Sequence, residues 1–236
     1  MLLARVSAVL AASVLFIATA SAVPIPTLEV EWGGGAYEWY SGDPGTMEVT
    51  PNPNGGYDYT GSYVGPDWSG NWSGFIDDDP IINSAIAVTN STPFTQTYIT
   101  TLTIPTVGAI AAPSTVFCGT SVTVTGLGPA TVATPPGDFL FRALVSGAPM
   151  GPPCDLLPDP FSLTTPTGLP AVAGPFNVGP APGPGLAAID SIGIRHAFTL
   201  TPGGTATINS TFIIIPEPGS MLLLVGGAAA MLRRRR

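Results

Sequence analysis

Apolar and polar residues alternate with a period of two along much of the chain between residues 23 and 215. The clearest run is 191–200, where one face carries Ile192, Ile194, His196, Phe198 and Leu200. This period is typical of a strand that is buried on one side, and no stretch of the body keeps the 3.6-residue period of an amphipathic helix. Clusters of Gly, Pro and Asn separate the runs and are typical of turns. The pattern therefore predicts an all-β body.

The predicted strands are short and evenly spaced. One lies within 23–43, and the others are 46–50, 57–64, 68–76, 81–89, 96–104, 116–125, 130–134, 139–145, 191–200 and 205–215. The segments 81–89 and 96–104 are expected to pair as a hairpin with a longer loop. Residues 165–188 are rich in Pro, Gly and Ala without any period, and we expect a long surface loop or an ordered irregular excursion there.

Many short strands with such turns predict an antiparallel β-sandwich, Ig-like or jelly-roll-like in class. The body is expected to span residues 23–215, flanked by an N-terminal signal helix and a C-terminal membrane helix. One sandwich is favoured over two halves split near 105–113, because the last strands can return to pair with early ones, as in Greek keys.

Residues 1–22 have the organisation of a secretory signal peptide. Arg5 is a minimal positive region, Val6 to Ala18 is apolar, and Ala20-Ser21-Ala22 supplies small residues for cleavage after Ala22. The alternative is an uncleaved N-terminal helix. The signal peptide predicts export of the body.

The C-terminal segment 216–236 joins Pro216-Glu217-Pro218 to an apolar run and to the arginine block 233–236. Arginines resist transfer across a membrane and stay on its cytoplasmic side. The apolar run from Gly219 to Leu232 would span roughly 21 Å as a helix, against a hydrocarbon core of about 30 Å. Such a short run favours a temporary membrane segment over the alternative, a permanent anchor with stop-transfer arginines.

This order of motif, apolar run and arginines resembles the PEP-CTERM sorting signal, the tail of bacterial proteins that exosortases process. The resemblance implies that the sorting signal consists of Pro216, Glu217, Pro218, Arg233, Arg234, Arg235 and Arg236. It further implies an exosortase-type membrane peptidase and the secretion machinery as partners, and a transient stay at the inner membrane of a Gram-negative-type bacterium. The final location would be the cell surface or the extracellular matrix, with exopolysaccharide as a further partner.

Charge limits the partners of the body. The chain has no lysine, and without the two termini only Arg142 and Arg195 oppose 14 carboxylates, a net charge of −12. So acidic a body repels nucleic acid and anionic membranes, which excludes DNA or RNA binding. The two arginines are expected to pair with carboxylates.

Two cysteines, Cys118 and Cys154, lie in the exported body. Disulfides persist in oxidising compartments, and two cysteines allow one intrachain pairing. We therefore predict a Cys118–Cys154 disulfide, the alternatives being free or intermolecular thiols.

Candidate chemistry is sparse. Asp77, Asp78 and Asp79 are weak candidates for binding a hard cation such as calcium, and the alternative is a solvated turn. His196, the single histidine, lies on an apolar strand face and is interpreted as a satisfied core or rim residue rather than a catalytic base. No catalytic residue and no cofactor is expected.

Aromatic residues concentrate early in the body, and exposed Trp68 and Trp72 could stack on sugar rings. The alternative is aromatic pairing within the core. The sequence thus predicts a noncatalytic exported protein of the cell surface or matrix, with a carbohydrate-binding module as the second hypothesis and a glycosidase-like enzyme as the third.

Overall fold

The computed structural model describes residues 25–33, 35–40, 47–77, 80–105, 114–166, 168–183 and 191–216. These residues form strands and no helix. The strands are β1 (Thr27–Trp32), β2 (Gly35–Tyr40), β3 (Met47–Pro51), β4 (Tyr57–Val64), β5 (Trp68–Asp77), β6 (Ile81–Asn90), β7 (Gln96–Pro105), β8 (Ser114–Gly126), β9 (Ala130–Ala133), β10 (Phe139–Val145), β11 (Ala148–Pro149), β12 (Asp155–Pro158), β13 (Ser162–Thr165), β14 (Ala171–Gly183), β15 (Ser191–Leu200) and β16 (Gly204–Pro216).

Two sheets contain all of these strands, and every pairing is antiparallel. Sheet 1 has the order β11-β10-β15-β7-β1-β2, with β12 also paired to β10, and with β9 joining β15 to β13. Sheet 2 has the order β14-β8-β16-β6-β5-β4-β3. The prediction of an all-β body with antiparallel sheets is confirmed.

Both sheets combine strands from before and after residues 106–113. In sheet 1, β15 pairs with β7, and in sheet 2, β16 pairs with β6. Late strands thus pair with early ones in both sheets. The expected signal helix and membrane helix lie outside the described residues, among which no helix is long and apolar enough to cross a membrane.

The expected hairpin of 81–89 and 96–104 is wrong, because β6 belongs to sheet 2 and β7 to sheet 1. The chain crosses between the sheets directly after Asn90, which is fully buried. Its amide nitrogen donates to the carbonyl oxygens of Phe94 (2.7 Å) and Leu200 (2.9 Å), and its Oδ1 accepts from the Thr92 N–H (2.9 Å). Asn90 therefore supplies the hydrogen bonds that the crossover backbone would otherwise lack.

The expected loop at 165–188 is also wrong in part, because β14 occupies most of it as an edge strand on β8. Its register shifts between Ala173 and Phe176 and again between Val178 and Ala181, and each shift contains a Gly-Pro pair. Proline cannot donate to a sheet, so it occurs on edges and at bulges. The insertions break the period of two, which is why the sequence pattern conceals this strand.

On the inner face of sheet 2, aromatic residues lie opposite glycines of the neighbouring strand. Tyr63 lies opposite Gly70, and Trp72 lies opposite Gly61. A Cβ atom on Gly70 would come within 2.8 Å of the Trp68 ring, so the glycine leaves the space that this ring fills. The glycines therefore leave room for the aromatic rings inside the core.

Tryptophans and a disulfide join the two sheets. Trp39 of β2 lies 5.0 Å from Trp72 and 5.9 Å from Trp68 of β5, measured between ring centroids. Cys118 of β8 is bonded to Cys154, which precedes β12, and their Cα atoms are 5.7 Å apart. The predicted disulfide is present and connects sheet 2 to sheet 1.

Candidate functional site

His196 lies at the centre of a buried chain of polar side chains that crosses the core. Its Nδ1 lies 3.1 Å from Thr100 Oγ1 in sheet 1, and its Nε2 lies 2.8 Å from Ser210 Oγ in sheet 2. Ser210 in turn lies 2.9 Å from Thr120 Oγ1. All four side chains are at most 5% exposed. One neutral imidazole can donate at one nitrogen and accept at the other, so this chain satisfies both ring nitrogens.

Burial lowers the pKa of His196 to about 3, and the nearby charge of Arg195 acts in the same direction. The histidine is therefore neutral at physiological pH. Ser210 and His196 have the spacing of a nucleophile and its base, but the other ring nitrogen contacts a threonine hydroxyl instead of a carboxylate. The position agrees with the interpretation of His196 as a satisfied core residue.

Both arginines of the described body form one charge cluster on the outer side of sheet 1. Arg195 makes two bonds to the Asp138 carboxylate, at 3.0 and 3.2 Å. Arg142 contacts Asp138 at 3.2 Å and approaches Asp155 at 3.6 Å. The second distance is an ion pair without a hydrogen bond, so Arg142 Nε and Asp155 Oδ1 both lack a hydrogen-bond partner. The expected pairing of the arginines with carboxylates is confirmed.

The pKa values of the two carboxylates in this cluster, Asp138 and Asp155, are shifted in opposite directions. Partial burial acts to raise the pKa of Asp138, but hydrogen bonds from Arg195 and the Phe139 N–H, with the charges of both arginines, lower it below its usual value. Burial raises the pKa of Asp155, because the opposing charge of Arg142 is the weaker effect. Both arginines are paired with carboxylates in this cluster, so neither positive charge is available to an anionic ligand.

Three further carboxylates lie on the first two strands. Glu29 pairs with Glu38 across β1 and β2, and it lies on the face opposite to the buried Leu28 and Val30. Burial raises the pKa of Glu29, and the charges of Glu31 and Glu38 add to the effect. These carboxylates lie on the outer surface of one sheet. The paired carboxylates of a glycosidase instead flank the scissile bond from the two walls of a cleft.

Only one of the three weak candidates for binding a cation lies among the described residues. Asp77 is the last residue of β5 and is half-buried, whereas Asp78 and Asp79 lie outside the described residues. Within the described part of the chain, no group of three acidic, histidine or cysteine side chains could hold a metal ion.

The structure contradicts sugar stacking by Trp68 and Trp72, whose side chains are 1% and 2% exposed. Both rings point between the sheets, where Trp39 covers them. The period of two placed them correctly on one face of the strand, but that face packs against sheet 1. They are core residues.

A groove of about 370 Å³ crosses the polar residues of sheet 2, and a second one of about 320 Å³ lies at one end of the molecule. The end groove is lined by Gly33, Pro66, Asp67, Ser91, Thr92, Pro93, Phe94 and Gln96. Its exposed aromatic residue is Phe94, at 69%. Sequence reasoning missed this groove, because its residues come from three separate connections. The apolar Phe94 within a polar loop was the one available signal.

The sorting residues continue directly from a central strand. Pro216, the last residue of β16, pairs with Ser114, and β16 lies between β8 and β6. The fold and this position define an all-β protein of two antiparallel sheets with a C-terminal tail. The remaining predicted sorting residues lie outside the described residues, and they are Glu217, Pro218, Arg233, Arg234, Arg235 and Arg236.

Residues 215–236 match the PEP-CTERM protein-sorting motif, and this match includes the whole arginine block. A search of curated proteins found none that matches the chain. The chain is thus a PEP-CTERM domain-containing protein, as the resemblance of its tail implied. The motif marks an exported protein that is sorted to the cell envelope or surface with an exosortase as its processing partner.

Proposed function

We propose that the chain is a noncatalytic protein of the cell surface or exopolysaccharide matrix, whose body is released from the membrane by cleavage of its tail. The sorting motif at residues 215–236 is the observation that carries this proposal. The described body ends at Pro216, so a cut near Pro216-Glu217-Pro218 removes no residue that the core needs.

Charge and length explain a temporary stop in the inner membrane. Each of the four arginines at 233–236 costs about 2.5–3.5 kcal/mol on insertion scales, so the C-terminus stays in the cytoplasm while the body is outside. The apolar run is shorter than a bilayer core, which makes the inserted state easy to leave once the body has been cut free.

Two features of the body support a noncatalytic role. The Ser210–His196 pair is at most 5% exposed, and the second ring nitrogen of His196 contacts a threonine hydroxyl instead of a carboxylate. The arginines at 142 and 195 are already paired with carboxylates. The strong pKa shift of His196 follows from burial in the core rather than from an arrangement for proton transfer.

Intact-mass analysis of surface-exposed protein tests the sorting proposal. The native chain should lack its tail, and a variant in which Ser replaces Arg233, Arg234, Arg235 and Arg236 should be exported uncut. A matched variant with four Lys at these positions keeps the charge and should still be processed. Native surface protein that mostly retains the arginine block would contradict cleavage and indicate a permanent anchor.

Carbohydrate binding by the body is the second candidate function. The predicted tryptophan platform is buried, but the end groove offers a different aromatic residue, Phe94, beside Asp67 and Gln96. Binding through this groove would be compatible with sorting to a surface that is rich in polysaccharide.

A further inference from the structure

The end groove forms where three connections meet. Gly33 belongs to the β1–β2 turn, Pro66 and Asp67 to the β4–β5 turn, and residues 91–94 to the crossover between the sheets, which ends where Gln96 begins β7. The Ser91 N–H donates to the Asp67 carbonyl oxygen at 3.0 Å, which ties two of the connections together. The groove is therefore bounded by backbone that the fold holds in place.

Phe94 is both exposed and fixed. Its carbonyl oxygen accepts from Asn90 Nδ2 at 2.7 Å, and its N–H lies 3.3 Å from Thr92 Oγ1. Burial of Asn90 inside the core anchors this loop. Phe94 is 69% exposed on a backbone that these hydrogen bonds hold, so its ring is accessible to a ligand and would lose little conformational freedom of the backbone on binding.

Three buried donors without partners belong to residues at or near the strand ends that adjoin this groove in the chain. Six buried side-chain atoms lack a hydrogen-bond partner among the described residues, and three of them are Trp32 Nε1, Trp68 Nε1 and Tyr98 Oη. Trp32 and Trp68 directly neighbour the lining residues Gly33 and Asp67 in the chain. Buried polar atoms without partners cost about 1–3 kcal/mol each, and none of these three side chains lines the groove itself.

The three rings form a connected group. Trp32 pairs with Tyr98 across β1 and β7, and the ring centroids of Trp32 and Trp68 are 5.6 Å apart. Burial raises the pKa of Tyr98 to about 12, and the charge of Asp67 adds to this effect. The phenol therefore stays protonated as a donor, close to the carboxylate at the edge of the groove.

Polar groups of the groove suit a ligand with hydroxyl groups. Asp67 offers a carboxylate acceptor, Gln96 offers both a donor and an acceptor, and Thr92 offers a hydroxyl. A Cβ atom on Gly33 would lie 2.5 Å from Gln96 Oε1, so this glycine leaves the space in which the amide lies. A sugar ring can stack its C–H groups on Phe94 while its hydroxyl groups exchange hydrogen bonds with these side chains.

Electrostatics select an uncharged ligand. Asp67 brings a negative charge to the groove, and none of the described residues that line it is cationic. The arginines at 142 and 195 are held by Asp138 and Asp155 elsewhere. An anionic polysaccharide would therefore meet repulsion without compensation.

The groove also lies at the end of β16 opposite to the sorting tail. β16 begins at Gly204, beside Asn90 and the crossover, since the Gly203 N–H donates to the Asn90 carbonyl oxygen. It ends 12 residues later at Pro216, where the sorting tail begins. At about 3.3 Å per residue, the groove and the tail lie roughly 40 Å apart at opposite ends of the strand. A body that is held at the membrane by its tail would present the groove outward.

We propose that the end groove, with Phe94 as its stacking ring and with Asp67 and Gln96 as its hydrogen-bonding groups, binds a neutral saccharide. This inference rests on the second candidate function and assigns it a site and a ligand class.

A glycan array tests this proposal. Exported protein is recovered from the surface fraction and applied to neutral and anionic glycans. The native chain should be retained by at least one neutral glycan. Phe94→Ala and Asp67→Asn should each weaken retention by about tenfold, the loss expected when one stacking or charged contact is removed. Val172→Ala is the matched control, since Val172 is 64% exposed on the distant edge strand β14, and it should bind as the native chain does.

Tryptophan emission gives a second measurement. Trp32 precedes the lining residue Gly33 in the chain and Trp68 follows the lining residue Asp67, so the retained glycan should change the emission of the native chain and not that of Phe94→Ala. Equal binding by the native chain and Phe94→Ala would overturn the assigned site while leaving carbohydrate binding intact. Failure of every neutral glycan, or retention by anionic glycans alone, would overturn carbohydrate binding of this kind altogether.

Discussion

Acid should weaken the body through His196 well before its carboxylates are protonated. The imidazole is buried between the sheets and hydrogen-bonded to Thr100 and Ser210, and burial lowers its pKa to about 3. In the unfolded chain the same histidine has a pKa of about 6.5. As pH falls below 6.5, the unfolded chain therefore binds a proton that the folded protein refuses, and the free energy of unfolding decreases until pH 3.

The size of this effect follows from the two pKa values. Each pH unit between them costs about 1.4 kcal/mol, so lowering the pH from 7.5 to 5.0 should remove about 2 kcal/mol from the free energy of unfolding. Asp138 acts in the same direction, because its pKa is lowered in the folded protein and its stabilisation is lost as pH falls through that value. That loss belongs to a more acidic range than the histidine effect.

Urea denaturation of the exported protein at pH 7.5 and 5.0, with the disulfide intact, measures the difference. His196→Gln keeps one donor and one acceptor but cannot titrate, and it should lose about 2 kcal/mol less than the native protein between the two pH values. The carboxylates are common to both proteins and cancel in this comparison. Equal pH dependence in the native protein and in His196→Gln would refute a neutral buried histidine.

Other substitutions test the contacts that join the sheets. Asn90→Ala should lower the free energy of unfolding by about 2–4 kcal/mol in urea denaturation, since it leaves crossover backbone groups unpaired, whereas the exposed control Asn71→Ala should change it by less than about 0.5 kcal/mol. Replacing Cys118 and Cys154 together by Ala should cost about 3–4 kcal/mol, as expected for a bond that closes 36 residues, and a loss below about 1 kcal/mol would contradict this role. Asp138→Asn should lower stability by about 1 kcal/mol at pH 7 and by less at high salt, because its ion pairs are partly exposed.

Local patterns predicted the strands well where one face is buried. The segment 191–200 alternates without interruption, and β15 has these bounds. Pairing partners were harder, because the alternation of β6 and β7 is the same whether the two strands form a hairpin or enter different sheets. Whether the two strands pair or enter different sheets depends on Asn90, whose amide in the crossover donates a hydrogen bond to the distant Leu200 carbonyl oxygen. No local pattern contains that contact.

The candidate site shows a similar limit. Alternation placed Trp68 and Trp72 on one face, but whether that face meets solvent or Trp39 depends on the position of the other sheet. The end groove is assembled from Asp67, Phe94 and other residues that are distant in the chain. The sorting tail was predictable because its information is contained in one contiguous motif that membrane physics can interpret without a fold.

The length of the connection between body and tail constrains the state before cleavage. Pro216 ends β16, and Gly219 begins the apolar run, so an extended chain separates them by no more than about 11 Å. While the tail is in the membrane, the Pro216 end of the body must therefore lie close to the bilayer surface. The acidic body repels anionic surfaces, so adsorption to the bilayer would not oppose the release that we propose. The same acidity that argues against nucleic-acid binding thus favours the proposed release, and the end groove and the tail lie at opposite ends of β16.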